Sequence, residues 1–243
     1  MQVRFSTVLI GLLVLAGAQT AKANANVAAD IARIHVEAIG GVDRINRLES
    51  LRAGGETVAS GQEMDFQMWA RRPNAVRIEV EAQGLYMVQG WSGEGEPWIQ
   101  AGAEGERRAM PPALASAFKL ESEFDDPLVN PEERGYVLDY AGEDEVGERP
   151  VVKLIATRSA SDQSVLYIAA DTYFIVRQDR VQLRPDGSKS ETQTFYGDFR
   201  PVQGVILPHK VVVWAGEELV SETMMNWMEG NPPLEKGMFA AEG

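Results

Sequence analysis

The sequence predicts a mainly β (α+β) domain built on one curved antiparallel sheet. Between about residues 51 and 228 the chain divides into strand-length runs separated by Gly, Pro, Asn and Asp. Many of these runs carry apolar residues on one side and charged residues on the other, which is typical of antiparallel strands with one buried and one solvated face. The pattern therefore predicts a sheet whose concave face is apolar.

The N-terminus has the pattern of a secretory signal peptide. Arg4 precedes an apolar run over residues 8–18, and small residues recur over 21–25. The apolar run is too short to span a bilayer, and Ala-x-Ala spacing marks a cleavage site. We expect residues 1–25 to be removed after Ala23 or Ala25, which leaves residues 26–243 as one domain. The chain has no Cys, so neither a disulfide nor a lipid thioether can form.

Two short helices are predicted before the first strand. Apolar residues at positions 27, 31, 34 and 38 form one stripe of a helix over 26–39, which Gly40 and Gly41 end. A second apolar spacing predicts a helix over 42–48. The first strands follow at 51–60, 63–71, 75–82, 85–91 and 96–100, and those at 63–71 and 75–82 alternate most clearly.

The middle of the chain interrupts the strands. Pro111 and Pro112 begin a predicted helix that runs to about residue 123, with its apolar side facing inward. Residues 121–148 then contain eleven acids and one basic residue, Arg134. With Pro127 and Pro131, this composition predicts a mobile surface loop.

A second series of strands completes the sheet. Runs are predicted at 136–140, 151–157, 164–170, 173–183, 192–199, 205–215 and 219–228, with a tight turn at 185–187. No composition change divides the chain into two domains, and all-β domains of this size are commonly single units.

Three stretches of the chain resemble LolA-like proteins, the outer-membrane lipoprotein-sorting and periplasmic lipid-carrier group. Residues 195–210, FYGDFRPVQGVILPHK, resemble the C-terminal hairpin of that family. The segment from 38–41 through 48–51 and the strand pair over 166–176 are also similar. The resemblance implies a strongly curved antiparallel half-barrel, helices covering its concave face, and a cavity that holds acyl chains. This chain differs from the lipoprotein chaperones in its length, its acidity and the acidic segment over 121–148.

A hydrophobic ligand site is predicted on the concave face. Met side chains adapt their shape, and several of them fall in predicted strands. Each such residue could equally be ordinary core, so the prediction is collective, and a register error of one residue would reverse the face. The predicted ligand-binding residues are Met64, Phe66, Met68, Ile78, Val80, Met87, Trp91, Trp98, Leu114 and Phe118.

The sequence offers little for catalysis, metals or nucleic acid. His35 and His209 are isolated, and a chain with two His and no Cys is poorly suited to zinc. No nucleophile elbow or phosphate loop is present. The net charge of -13 becomes -15 when Arg4 and Lys22 leave with the signal peptide, which argues against nucleic acid. Arg pairs at 71–72 and 107–108 could meet a lipid head group, although surface charge is the simpler interpretation.

These observations predict a soluble, non-enzymatic and monomeric periplasmic carrier without a cofactor or metal. It would bury a lipid or other hydrophobic ligand between the sheet and its helices and shuttle it from a membrane donor transporter to an outer-membrane acceptor. The helix near residues 112–118 would act as a lid. The alternative is an envelope scaffold or sensor that binds a protein partner. An exported hydrolase would require a nucleophile and base that the sequence does not supply.

Overall fold

The computed structural model describes residues 24–183 and 189–241. Residues 1–23 of the predicted signal peptide and the predicted turn at 185–187 lie outside these residues. Three helices are described: α1 (residues 24–38), α2 (Val42–Arg47) and α3 (Pro112–Glu121). The predicted helices at the N-terminus are confirmed to within two residues, and Gly40 and Gly41 follow α1 with positive φ.

Thirteen antiparallel strands of the described chain form one unclosed, curved sheet, so the predicted fold class is confirmed. The first six strands run outward from the middle of the sheet to one edge, and the last seven run from the other edge back to the middle. The first and last strands therefore pair with each other at the centre. In chain order they are β1 (Ser50–Ala59), β2 (Gln62–Arg71), β3 (Ala75–Ala82), β4 (Leu85–Trp91), β5 (Trp98–Ala101), β6 (Arg108–Ala109), β7 (Val137–Val146), β8 (Arg149–Ser159), β9 (Asp162–Ala169), β10 (Ile175–Leu183), β11 (Lys189–Val202), β12 (Val205–Ala215) and β13 (Glu218–Gly230).

β-Bulges bend the sheet at several points, including the central pair. The register of β1 against β13 shifts between Gly54 and Gly55. A Cβ atom on Gly55 would lie 1.9 Å from the carbonyl oxygen of Met224, so only glycine permits this close approach of the two strands. The bulge increases the local twist where the two halves of the sheet join.

The helices divide the concave face into two covered regions. Helix α1 packs its Ala28, Ile31 and Ala32 on Leu154 and Leu166 in the second half of the sheet. Helix α3 packs over the first half, with Ala115 and Phe118 against strands β3 and β4. The helices thus bury the apolar face of each half, while the region between them is covered by other elements.

Residues 122–136, here called the plug segment, cover that central region. Leu128 and Val129 are buried, as is Tyr136 at the segment's end. The prediction of a mobile surface loop over the acidic residues is therefore wrong in two ways. Residues 122–136 are packed into the core, and residues 137–146 form the edge strand β7. The acidic side chains are compatible with this packing because cations from other elements pair with them.

Candidate functional site

A cavity of about 560 Å³ lies on the concave face between α1, the C-terminal end of α3, the plug segment and strands β10 to β13. This volume is within the range of sites for small molecules and cofactors. The strands supply its floor and the helical and plug residues its walls. Its lining separates into an apolar side and a polar side.

The apolar side is built mainly by aromatic and branched side chains. The rings of Phe174 and Phe199 lie 4.8 Å apart, centroid to centroid, and both line the cavity. Val211 and Val213 project from β12 into the cavity because alternate residues of a strand share a face. Further apolar lining comes from Ile39, Phe124, Ile206, Leu207 and Val220.

The polar side is formed by two neighbouring strands. Gln178 and Arg180 of β10 lie opposite Thr194 and Thr192 of β11, and all four line the cavity. A bulge between Ile175 and Arg177 allows Gln178 and Arg180 to share the concave face with the buried Ile175. Without it, alternation would place these two polar residues on the opposite face from Ile175.

Tyr196 joins this polar side from β11. Its hydroxyl lies 3.0 Å from Oε1 of Gln178, to which it donates a hydrogen bond. Burial raises the pKa of Tyr196 to about 12, so the phenol remains a donor at any physiological pH. The bond directs the amide nitrogen of Gln178 away from Tyr196.

Arg180 connects the floor of the cavity to α3. Its Nη1 donates to the carbonyl oxygen of Leu120 over 3.5 Å, which is long for a hydrogen bond. Glu121, which also lines the cavity, is near enough for Arg180 to lower its pKa, but burial outweighs this effect and the pKa is raised overall. Among the described ion pairs within 4.0 Å, none includes Arg180.

The buried His35 pairs with the partly exposed Asp126 at the wall between α1 and the plug segment. His35 is 2% exposed, with Nδ1 2.7 Å from the carbonyl oxygen of Tyr173 and Nε2 3.2 Å from a carboxylate oxygen of Asp126. Both partners are acceptors, so both contacts are hydrogen bonds only when both ring nitrogens carry hydrogen, that is, when His35 is an imidazolium. Burial lowers the pKa of His35, but the charge and hydrogen bond of Asp126 outweigh it and raise the pKa overall.

Ion pairs within the plug segment and from it to the rest of the fold hold it in place. Arg134 pairs with Glu123 at 2.5 Å and also donates to the carbonyl oxygens of Asp125 and Asp126. Arg72 pairs with Asp125, so the plug segment is also tied to the end of β2. The acids that the sequence assigned to a surface loop are therefore structural anchors beside the cavity.

Most of the predicted ligand-binding residues share the concave face. The register places Phe66 opposite Val80 and Val80 opposite Met87. The alternation predicted for the strands at 63–71 and 75–82 is confirmed. These residues lie in the first half of the sheet, next to the cavity rather than in its lining, and α3 covers part of them. The group on this face comprises Met64, Phe66, Met68, Ile78, Val80, Met87, Trp91 and Phe118.

The placement of Trp98 corrects the prediction. Trp98 lies opposite Gly90, whereas the neighbouring pair is Gln89 with Ile99, so Trp98 belongs to the other face of the sheet. It is 1% exposed and donates from Nε1 to the carbonyl oxygen of Phe239 in the C-terminal segment. A Cβ atom on Gly90 would collide with its ring. Trp98 therefore anchors the C-terminus and does not face the cavity.

Leu114 also departs from its predicted position. It is 58% exposed on the outer side of α3, while Ala115 and Phe118 face the sheet. The arginine pairs have structural contacts as well. Arg72 donates to the carbonyl oxygens of Leu48 and Ile45, and the guanidinium of Arg107 lies 4.4 Å from the Trp98 ring centroid.

The polar residues of the cavity could not be assigned from the sequence. Gln178 and Arg180 occur in IVRQDRVQL, where polar residues occupy both faces of the strand. The bulge that decides which of them turn inward leaves no distinctive residue pattern. The pairing of His35 with Asp126 could not be assigned either, because the two residues are 91 positions apart.

Within residues 24–183 and 189–241, no group of three or more His, Asp or Glu is arranged to hold a metal ion. No described helix is long and apolar enough to cross a membrane.

Comparison with known proteins identifies the fold. No protein-family model matches the chain, and no curated protein does. A solved domain from Vibrio parahaemolyticus, described as an outer membrane lipoprotein-sorting protein, superposes with a TM-score of 0.60 at 11% identity, over 89% of this chain and 97% of that one. A DUF1329 family protein from Desulfovibrio piger superposes with a TM-score of 0.56 at 14% identity, over 89% of this chain and 97% of that one. A LolA superfamily protein from Nitrosomonas europaea superposes with a TM-score of 0.53 at 10% identity, over 82% of this chain and 94% of that one. The fold of this chain is therefore LolA-like.

Proposed function

We propose that this LolA-like chain is a periplasmic carrier that binds a lipid or other hydrophobic ligand in the cavity on its concave face and shuttles it between the membranes of the envelope. The observation that carries the proposal is the cavity of about 560 Å³ with its wall of Phe, Val, Leu and Ile side chains. Binding is reversible burial of apolar surface and requires no covalent step.

The free energies involved favour such a site. Exposing an acyl chain to water costs about 0.8 kcal/mol per methylene, or roughly 12 kcal/mol for a chain of about sixteen carbons. A soluble carrier must offset most of this cost with apolar contacts. In the described chain these contacts are available between β12, the two phenylalanines and the plug segment.

The predicted ligand-binding surface extends this cavity toward the first half of the sheet. Val211 lines the cavity and also belongs to the cluster that contains Phe66, Met68 and Val80. Met68 and Ile78 lie partly beneath α3, packed against Phe118 and its neighbours. Displacing α3 would expose this strip and lengthen the cavity along β2 and β3.

Helix α3 is suited to act as the lid. Two of its side chains, Ala115 and Phe118, are buried against the sheet. Its polar attachments are the ion pair of Lys119 with the exposed Glu96 and the long contact from Arg180 to Leu120. Exposed ion pairs contribute little stability, so few interactions hold the lid closed.

The proposed partners follow from this transport role. The signal-peptide pattern directs the chain to the periplasm, where a membrane transporter would load it and an outer-membrane acceptor would unload it. We propose that it acts as a monomer, because the apolar concave face is covered by its own helices and plug segment.

Binding of methyl cis-parinarate, a neutral fluorescent acyl ester, tests the proposal. Val211→Glu places a charge in the cavity wall, whereas Val212→Glu, its matched control, places the same charge on the opposite face of β12, across from Glu222 and two residues from Lys210, the ion-pair partner of Glu222. We expect the wild type and Val212→Glu to bind the ester and Val211→Glu to lose binding at least tenfold, because a buried unpaired charge is costly. Equal binding by both variants would exclude the cavity as the site.

A further inference from the structure

Two unpartnered donors lie on the polar side of the cavity, formed by β10 and β11 and here called the polar wall. Of the buried side-chain nitrogen and oxygen atoms in the described residues, Nε of Arg52, Nε2 of Gln178 and Nε of Arg180 have no hydrogen-bond partner. Arg52 is outside the cavity, but Gln178 and Arg180 both line it. Buried donors are nearly always satisfied in folded proteins, so this pair indicates a missing acceptor.

One buried donor lacks a hydrogen-bond acceptor whichever way the Gln178 amide is oriented. With Oε1 toward Tyr196, the phenol donates and the amide nitrogen is left without an acceptor. With the amide reversed, Nε2 would donate to the phenol oxygen, and the phenol hydrogen would become the unpartnered donor. Either arrangement leaves one neutral donor beside the guanidinium of Arg180, two residues along the same face of β10.

The charges around Arg180 favour an anionic acceptor. Asp126 is committed to His35 through one oxygen and to the backbone nitrogen of Leu128 through the other. Of the other carboxyl groups that line the cavity, Glu123 pairs with Arg134 and Arg158, and Asp125 pairs with Arg72. Among the described ion pairs within 4.0 Å, none joins Glu121 to Arg180. Arg180 is therefore a poorly compensated cation at the end of an apolar cavity.

We propose that this polar wall binds the carboxylate of an amphiphile, with Arg180 and Gln178 as the donors, while the acyl chain lies against Phe174, Phe199 and Val211. The proposal rests on the carrier function above and specifies the head group of its ligand. Because Nη1 of Arg180 already donates to Leu120, the edge that carries Nε is the one left to bind a carboxylate.

The affinity ratio of cis-parinaric acid to its methyl ester tests this inference. The two probes have the same chain, and only the acid has a carboxylate. We expect the wild type to bind the acid about tenfold more tightly, since hydrogen bonds to charged groups are of that strength. Equal affinities would overturn the inference and leave the carrier function intact. Failure to bind either probe would overturn both.

Substitutions test whether the preference for the acid arises at the polar wall. Arg180→Met should bring the ratio of acid to ester affinity to about one; an effect on α3 alone would shift both affinities and leave their ratio unchanged. Glu121→Gln should act in the opposite direction and raise the affinity for the acid, because it removes a competing negative charge. Arg33→Met, on the exposed side of α1, is the control for loss of a positive charge and should leave both affinities unchanged.

Should Arg180→Met fail to fold, as judged by circular dichroism, Gln178→Leu and Glu121→Gln provide the same test from neighbouring positions. An acid preference that survives Gln178→Leu and is unchanged by Glu121→Gln would overturn the assignment. A reduced preference in the first and an increased preference in the second would support it.

Discussion

His35 on α1 and Asp126 in the plug segment form an ion pair in the cavity wall, with 3.2 Å between Nε2 and Oδ2. The other ring nitrogen of His35 lies against the carbonyl oxygen of Tyr173, between β9 and β10. One side chain thus joins the N-terminal helix, the plug segment and the sheet. The pair is one of several contacts that position the plug segment beside the cavity.

Asp126→Asn should destabilise the fold by about 2 kcal/mol near pH 5, because a charged hydrogen bond is weakened while the imidazolium stays buried. The pKa of His35 is raised, so its contribution is complete below its unfolded value of 6.5 and is lost as pH rises through the folded pKa. The pKa of Asp126 is lowered, so its contribution is present above 3.8 and is lost as pH falls through the folded pKa.

The free-energy difference between wild type and Asp126→Asn should therefore be largest between about pH 3.8 and 6.5. Urea unfolding at a series of pH values measures it. Asp171→Asn, which removes the exposed partner of Arg149, is the control. Its difference from wild type in the free energy of unfolding should not decrease above pH 6.5. A difference that is the same at pH 5 and pH 9 would show that His35 is not charged in the fold.

Arg134→Met should loosen the plug segment. Arg134 pairs with Glu123 and donates to the carbonyl oxygens of Asp125, Asp126 and Val129. Methionine has no donor that could replace these bonds. We expect a loss of about 3 kcal/mol and faster hydrogen exchange over residues 122–136. Arg200→Met, which removes an exposed pair with Asp198, should leave exchange in that segment unchanged. Unaltered exchange in Arg134→Met would mean that apolar packing alone holds the plug.

Met68→Glu tests the predicted strip beneath α3. Met68 is packed in the clusters shared by β2, β3 and α3, so a carboxylate there would make the extended cavity polar. We expect methyl cis-parinarate to bind at least tenfold more weakly, with little loss of strand signal in circular dichroism. Gln67→Glu is the matched control on the opposite face, where the new carboxylate can still accept from Arg52. Equal affinity in both variants would confine the ligand to the cavity over β10 to β13.

Gly55→Ala tests the bulge at the centre of the sheet. The added methyl group would meet the carbonyl oxygen of Met224 at 1.9 Å, so β1 and β13 would have to separate. We expect a loss above 2 kcal/mol in the free energy of unfolding. Gly197→Ala is the control in β11, where the nearest atom, Cβ of Lys210, is 3.8 Å away. Similar stability of the two variants would show that the bulge is not needed to join the halves of the sheet.

The strands were predictable because their alternation and turns are local properties of the sequence. Met64, Phe66 and Met68 alternate with Asp65 and Gln67, and the pairing of β2 with β3 follows that pattern. The plug segment was not predictable, since its acids resemble a solvated loop until their partners are known. Arg72 and His35, which pair with Asp125 and Asp126, are 53 and 91 residues away.

The cavity lies on the concave face that the predicted ligand-binding residues share, but in the other half of the sheet. Its floor depends on the bulge before Arg177, which reverses the alternation of β10 and brings Gln178 and Arg180 inward. Trp98 was misplaced for a related reason. Gly90 opposite it accommodates the indole on the other face, whereas the sequence suggested one continuous apolar side.

Native mass spectrometry of the protein, purified gently without detergent and then incubated with phospholipid and fatty-acid vesicles, tests whether the cavity carries lipid. We expect a bound species whose added mass is that of an acyl lipid, extractable with organic solvent and absent from Val211→Glu. A protein that stays at its polypeptide mass after purification and after incubation would show that the cavity has no role in carrying lipid.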